Sequence, residues 1–292
     1  MASLAGFPAN YIDSFMRMLA EPERNIEVIT YSDLEFGNDF DYEGSYMGEW
    51  KTWRESISSG DRDPSKIYVI LQHDVDDCPE RTHRLLGVQE ELGIRSNVMI
   101  FNRPVNRGML AKTGVVEYVD YPIDTSLFLR LQEEGWLFAY HSNSFEQAGF
   151  DFDKAGQIFI DDVEALRSHG FKIEFFCPHG GARDSEGQSN VHFGMPEEMR
   201  KSVRWVLNRH SIKLNGVRSD GGFRNRENWD NLDLREFVRA WKPGKRYRLN
   251  LHPQHYDNDF HPHEPFMSSP WYRDLVEAAD SGYSNWWPMS QG

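Results

Sequence analysis

Cysteine is nearly absent. Only Cys78 and Cys177 occur in 292 residues, with no C-x-x-C pair, so a disulfide scaffold is excluded and both are expected as buried thiols. Basic charge is also scarce, with 32 Lys and Arg against 46 Asp and Glu and a net charge of −14. Such a chain avoids nucleic acid polymers and anionic membranes, while an acidic cleft in it would attract divalent cations. No apolar run approaches the roughly 20 residues of a membrane span, so no membrane insertion is expected. The start, "MASLAGFPANYIDSFMRML", lacks a basic stretch followed by a clean apolar run and does not read as a secretory signal. A reduced, cytoplasmic protein is the expectation. There is no internal repeat and no low-complexity stretch.

What is present is enough for a core: 39% of residues are hydrophobic and 14% aromatic. β-forming runs occur at Ile67–Leu71, Asn97–Phe101, Trp136–Tyr140, Ile173–Cys177, Ile212–Val217 and Tyr247–Leu251. Helical patterns lie between and after them. Glu80–Leu92 is stopped by Gly93, and a short helix capped by Thr125 ends at Gly135. Asp153 opens a helix with Phe159, Val163 and Leu166 on one face, stopped by Gly170. Pro196 opens another that reaches about His210. Leu232–Trp241 and Pro270–Ala279 complete the set. Six strand-then-helix units imply parallel strands joined by right-handed crossovers, in an α/β fold. Residues 1–66 read as an N-terminal extension packed on a domain spanning 67–292, with Ile26–Tyr31 available as a further strand.

The ends of the strands carry the chemistry. The first runs into His73, Asp74, Asp76 and Asp77. The second meets Asn102 and Arg103, the third His141, Ser142, Asn143 and Glu146, and the fourth His179, Gly180 and Gly181. The fifth leads to Arg218 and Asp220, the sixth to His252 and His255. In parallel α/β folds this C-terminal end builds the active site. Asp77 is read as a cap for the helix near Pro79, whereas Asp74 and Asp76 exceed what a cap needs. His255, His261 and His263 read as loop residues. The glycines after His179 form a turn or expose backbone N–H groups to an anion.

In order and placement these residues resemble the polysaccharide deacetylase superfamily, carbohydrate esterase family 4, over roughly Ile67 to Tyr256. The resemblance implies a distorted (β/α) barrel with six or seven parallel strands, and a divalent metal, zinc first, that serves hydrolysis of N-acetyl groups on sugars. "HDVDD" is similar to the family's first motif, which implies Asp74 as catalytic base and Asp76 as metal ligand. "YHSNSFE" supplies His141, but Phe145 stands where the family has a second His. "FFCPHGG" is similar to a branch with a His-Gly pair, which implies His179 as the replacement ligand. "GVRSDGGFRNRENW" and "LNLHPQHY" resemble later motifs of that branch. The partner implied is a saccharide or sugar-nucleotide, in polysaccharide biosynthesis.

On that ligand set the remaining roles follow from chemistry. One carboxylate and two imidazoles leave open positions on Zn²⁺. His252 is placed to protonate the leaving amine, and a backbone N–H at Gly180 to meet the oxyanion. Arg218 and Asp220 are expected as a pair that orients Asp74 or binds substrate hydroxyls, with Asn102 also substrate-binding. Glu146 is expected outside the ligand set, behind a ligand His. Two other readings stand beside this one: a saccharide-binding barrel without catalysis, and a haloacid-dehalogenase-like phosphatase using the Asp pair of "DVDD".

Overall fold

A computed structural model describes residues 9–34, 63–199, 201–206, 214–221, 234–256, 273 and 277. Helix α1 (Ala9–Leu19) leads to strand β1 (Ile26–Ile29), and β2 follows at Ile67–Asp74. Then come α2 (Thr82–Glu91), β3 (Asn97–Ile100), α3 (Arg107–Thr113) and α4 (Thr125–Glu133). Next are β4 (Leu137–Ser142), the short α5 (Ser144–Gln147), α6 (Phe152–Ser168) and β5 (Phe175–Pro178). Last are α7 (Asn190–Phe193), β6 (Arg204–Trp205), β7 (Gly216–Ser219), α8 (Leu234–Arg239) and β8 (Arg246–Leu251).

The eight strands form one all-parallel sheet in the order β6-β5-β4-β3-β2-β8-β7, with β1 beside the first half of β2. It curls into a distorted (β/α) barrel. Strand alternation sorts the side chains. Tyr68 and Ile70 of β2, Met99 of β3, Leu137 and Ala139 of β4, and Phe175 and Cys177 of β5 fill one inner cluster. Ile29, Tyr31 and Leu34 enter it from the N-terminal segment, and Val206 joins from beyond β6. The outward residues Ile67, Val69, Leu71, Leu249 and Leu251 pack under α1, α2 and α8, while Val98, Ile100, Phe138, Tyr140 and Phe176 pack under α4 and α6. Among the described residues β6 and β7 do not pair, and the Arg248 guanidinium donates across that seam to the Val206 carbonyl (3.4 Å).

The strand added at Ile26–Ile29 is the one the sequence made available. Other expectations need correction. Within the described residues, the helix expected from Pro196 to His210 is replaced by a single 3-10 turn at Glu197–Met199 and then β6, its end at 207–210 lying outside them. Val203 and Trp205 alternate into the outer core, a period of two that outweighs the helical spacing. The cap of α4 is Asp124, whose carboxylate accepts from Leu127 N (3.0 Å), not Thr125. Asp151, not Asp153, caps α6. Cys78 is exposed and not a buried thiol, whereas Cys177 is buried in the lumen. Asp77 does not cap; its carboxylate pairs with Arg107 (3.2 Å). The start of the expected strand at Ile212, most of the helix Pro270–Ala279, and His261 and His263 lie outside the described residues. Among the described residues no helix is long and apolar enough to cross a membrane.

His73 turns outward between Asp74 and Gln72, into the packing of α2, 3.1 Å from Gln89 Oε1. Burial lowers its pKa from 6.5 to about 4. The unfolded chain therefore takes up this proton near pH 6.5 and the folded chain only near 4, so stability is full above that window and falls as pH drops through it. Urea unfolding should show His73 costing about 2 kcal/mol between pH 7 and 5, from 1.36 kcal/mol per pH unit. The variant His73→Gln should lose correspondingly less over the same interval; an equal loss would show that His73 does not drive the dependence.

Candidate metal and catalytic site

The inward parity that fills the lumen continues past the strand ends with polar groups. On β2 the inner row runs Tyr68, Ile70, Gln72, Asp74, and Asp76 follows two residues on. On β4 it ends at His141, after β5 at His179, and on β8 it passes Arg248 and Asn250 to His252. Apolar burial thus fixes which residues reach the mouth.

Asp76, His141 and His179 each offer a ligand atom within 4.8 Å of the others. His141 Nε2 lies 3.1 Å from Asp76 Oδ1, and His179 Nε2 lies 3.5 Å from Asp76 Oδ2. The far nitrogens are engaged. His141 Nδ1 donates to the Cys177 carbonyl (2.9 Å), and His179 Nδ1 donates to Glu146 Oε2 (3.2 Å). A carbonyl or carboxylate only accepts, so both rings carry hydrogen on Nδ1 and turn Nε2, the nitrogen a cation would take, toward Asp76. This donor set, with its outer partners in place, fits a divalent cation. Burial alone would push the Asp76 carboxyl up; the imidazoles of His179, His141 and His252 outweigh it and hold the group well below the usual carboxylate range.

Glu146 sits behind His179, where the sequence put it, and also accepts from Ala182 N. Phe145, on the same short helix, points the other way. It is fully buried, stacked on Phe152 with ring centroids 4.5 Å apart. A helical turn cannot aim successive residues at one point, so the position that lacks a His serves the outer core.

Asp74 is buried and held by two amides. Gln72 Nε2 donates to Oδ1 and Asn250 Nδ2 to Oδ2, each at 2.8 Å. His252 Nδ1 donates to Asp220 Oδ1 (2.5 Å), which leaves Nε2 3.6 Å from Asp76 Oδ2. Burial would lower the His252 pKa, but the Asp220 carboxylate raises it to about 10.

Of three expected substrate side chains, Arg218 and Asn102 are taken up by outer elements, whereas Asp220 lies against His252. Arg218 pairs in register with the outward Leu249, and its guanidinium lies 5.3 Å from the centre of the Phe237 ring on the outer side. The expected Arg218–Asp220 pair is therefore absent. Asp220 is buried and taken up by His252, accepting from both its backbone N (2.7 Å) and its ring. The Asn102 amide donates to Asp162 (2.6 Å), a buried α6 carboxylate that also accepts from Tyr140 Oη (2.7 Å). Asp161 and Asp162 lie inside α6, so they do not supply the strand-end acidic pair that a haloacid-dehalogenase-like site requires.

Other residues of the site escaped the sequence reading. Phe101 packs against both imidazoles, 4.9 Å from His141 and 5.2 Å from His179 between centroids. Arg107 opens α3 and brings Nη1 to 3.0 Å from His179 Nε2 and 4.0 Å from Asp76 Oδ2. Gln72 and Asn250 were legible by parity, two positions before Asp74 and His252. Nothing local in the sequence marks Arg107.

No family model and no curated protein matches the chain. Solved structures do match. The peptidoglycan deacetylase PdaC from Bacillus subtilis covers 78% of this chain and 89% of its own at 12% identity, with a TM-score of 0.38. A family 4 carbohydrate esterase from Bacillus anthracis covers 76% and 78% at 15% identity and 0.33. A mutant of a family 4 pseudoenzyme with restored enzymatic activity covers 75% and 64% at 14% identity and 0.30.

The two glycines after His179 differ in what they permit. A Cβ on Gly180 would meet nothing within 4 Å, whereas one on Gly181 would lie 2.0 Å from Glu146 Oε1 and 2.6 Å from His179 Nδ1. Gly180→Ala should leave the thermal midpoint almost unchanged. Gly181→Ala should destabilise by roughly 1–3 kcal/mol, the usual cost of overpacking. Equal midpoints for the two variants in a calorimetric scan would contradict the packing described.

Proposed function

We propose that this chain is a metal-dependent hydrolase that removes an acyl group, N-acetyl above all, from a saccharide or nucleotide sugar in the cytoplasm. The observation that carries the reading is the convergence of Asp76, His141 and His179 at the barrel mouth, with an amide-held carboxylate and an Asp-held imidazole on the same inner rows. Asp76, His141 Nε2 and His179 Nε2 would hold the cation, and one carboxylate with two imidazoles suits zinc. A cation bound there supplies Lewis acidity toward the acyl oxygen and acidifies water.

The chain's own groups handle the protons. Asp74, oriented by an amide donor on each oxygen, accepts the proton of the attacking water. The water oxygen bonds to the acyl carbon as the carbon–nitrogen bond breaks. His252 carries its proton at neutral pH and donates it from Nε2 to the departing nitrogen, while Asp220 holds the ring by Nδ1. The Gly180 N–H is the assigned backbone donor for the developing oxyanion. Water is consumed, and a carboxylic acid and an amine result.

Metal analysis with two substitutions tests this. The purified protein should hold about one zinc per chain, and His141→Ala should lose it. Asp74→Asn should keep the metal and slow hydrolysis of an N-acetylated sugar by ~10²–10⁴-fold, as for loss of a general base. Full metal retention in His141→Ala would sink the centre as drawn. Metal loss in Asp74→Asn would exchange the roles of Asp74 and Asp76. Metal binding without hydrolysis of any acylated sugar would favour the saccharide-binding reading.

A further inference from the structure

We propose that Tyr31, from the N-terminal segment, is a positioning residue for Asp74 that acts through Gln72. The catalytic half of this inference rests on Asp74 being the base; the geometric half does not.

The lumen below the mouth contains a buried line of hydrogen bonds. The Arg248 guanidinium reaches the Tyr31 phenol oxygen (3.5 Å). The Tyr31 hydroxyl donates to Gln72 Oε1. Gln72 Nε2 donates to Asp74 Oδ1 (2.8 Å) and lies 3.5 Å from Cys177 Sγ. Tyr31, Gln72, Asp74 and Arg248 are all buried.

The direction of this line is fixed by its first member. A guanidinium only donates, so the phenol oxygen accepts from Arg248 and its hydrogen goes to Gln72. Burial holds the phenol protonated, well above its usual range. Gln72 then has its carbonyl oxygen occupied, and its NH₂ must face Asp74. Without the Tyr31 hydroxyl the amide is free to turn over, which would set its oxygen against a carboxylate. Tyr31 is itself pinned, since its backbone N donates to Asn97 Oδ1 (2.8 Å). Its ring packs 6.2 Å from Phe175. A residue far away in sequence therefore determines which donor the carboxylate meets.

Two readouts test the proposal. The first needs no catalysis. In NMR spectra the Gln72 side-chain amide, assigned by its disappearance in Gln72→Glu, should exchange slowly with solvent. Tyr31→Phe keeps the ring and removes the hydroxyl, and should speed that exchange roughly tenfold, as for loss of one buried hydrogen bond. Unchanged exchange in folded Tyr31→Phe would overturn the proposal whether or not the protein is an enzyme.

The second readout is kinetic. Tyr31→Phe and Gln72→Leu should each lower kcat roughly fivefold to tenfold. KM should stay within about twofold and metal content should not change. Combined, they should lower kcat no further than either alone, because both cut one line. Multiplying effects, or a fall expressed only in KM, would reduce Tyr31 to a packing role. Should wild type hydrolyse nothing, the proposed function fails and the exchange experiment still decides the role of Tyr31.

Discussion

The site depends on the two-residue alternation of parallel strands around a packed lumen. Ile70 and Tyr68 point inward because they bury apolar surface against Met99, Ala139, Phe175 and Cys177. Burying such a side chain is worth roughly 1.5–3 kcal/mol. A slip of one residue on β2 would send this row into the helices and Asp74 with it, so the apolar rows hold the polar groups in place. Gln72 and Asp74 share a face with Ile70, and Asn250 shares one with Arg248.

Above the lumen, charge is organised by partners chosen one at a time. Asp220, Glu146 and Asp76 are buried or nearly so, and each meets an imidazole. An unpaired carboxylate in such a place would cost several kcal/mol. The pairing also fixes tautomers: Glu146 and the Cys177 carbonyl claim Nδ1 of their rings, and Asp220 claims Nδ1 of His252. Every Nε2 is then left for the centre. Arg107 adds a cation beside His179, Asp76 and Asp77 from a helix that the lumen does not constrain.

The strands and the residues ending them were legible because a covered parallel sheet writes apolar runs, and a strand end writes an abrupt change to polar residues. His141, His179 and His252 stood out for that reason. Arg218 did not follow the pattern because being near a strand end does not decide its face; its register partner Leu249 already pointed outward. Asp220 lay at the expected place, yet its partner was His252, a contact between two strands that no local pattern encodes. β6 is two residues long, too short for its alternation to stand out in the sequence from a helical spacing. The same limit applies to Phe101, whose role depends on two rings from other strands.

The N-terminal segment has a consequence for the order of assembly. The Tyr11 hydroxyl accepts from Leu234 N (2.9 Å), β1 pairs with β2, and Tyr31 meets Arg248 across 217 positions of sequence. During synthesis the segment carrying Tyr11 and Tyr31 emerges well before α8 and β8 exist. Its apolar face must wait, bound to β2 at most, until β8 arrives to cover it. Long-range closure of this kind slows folding and leaves surface exposed to aggregation in the interval. The lumen, with a guanidinium inside it, is sealed jointly by the Tyr31 segment and β8, which meet across 217 positions of sequence.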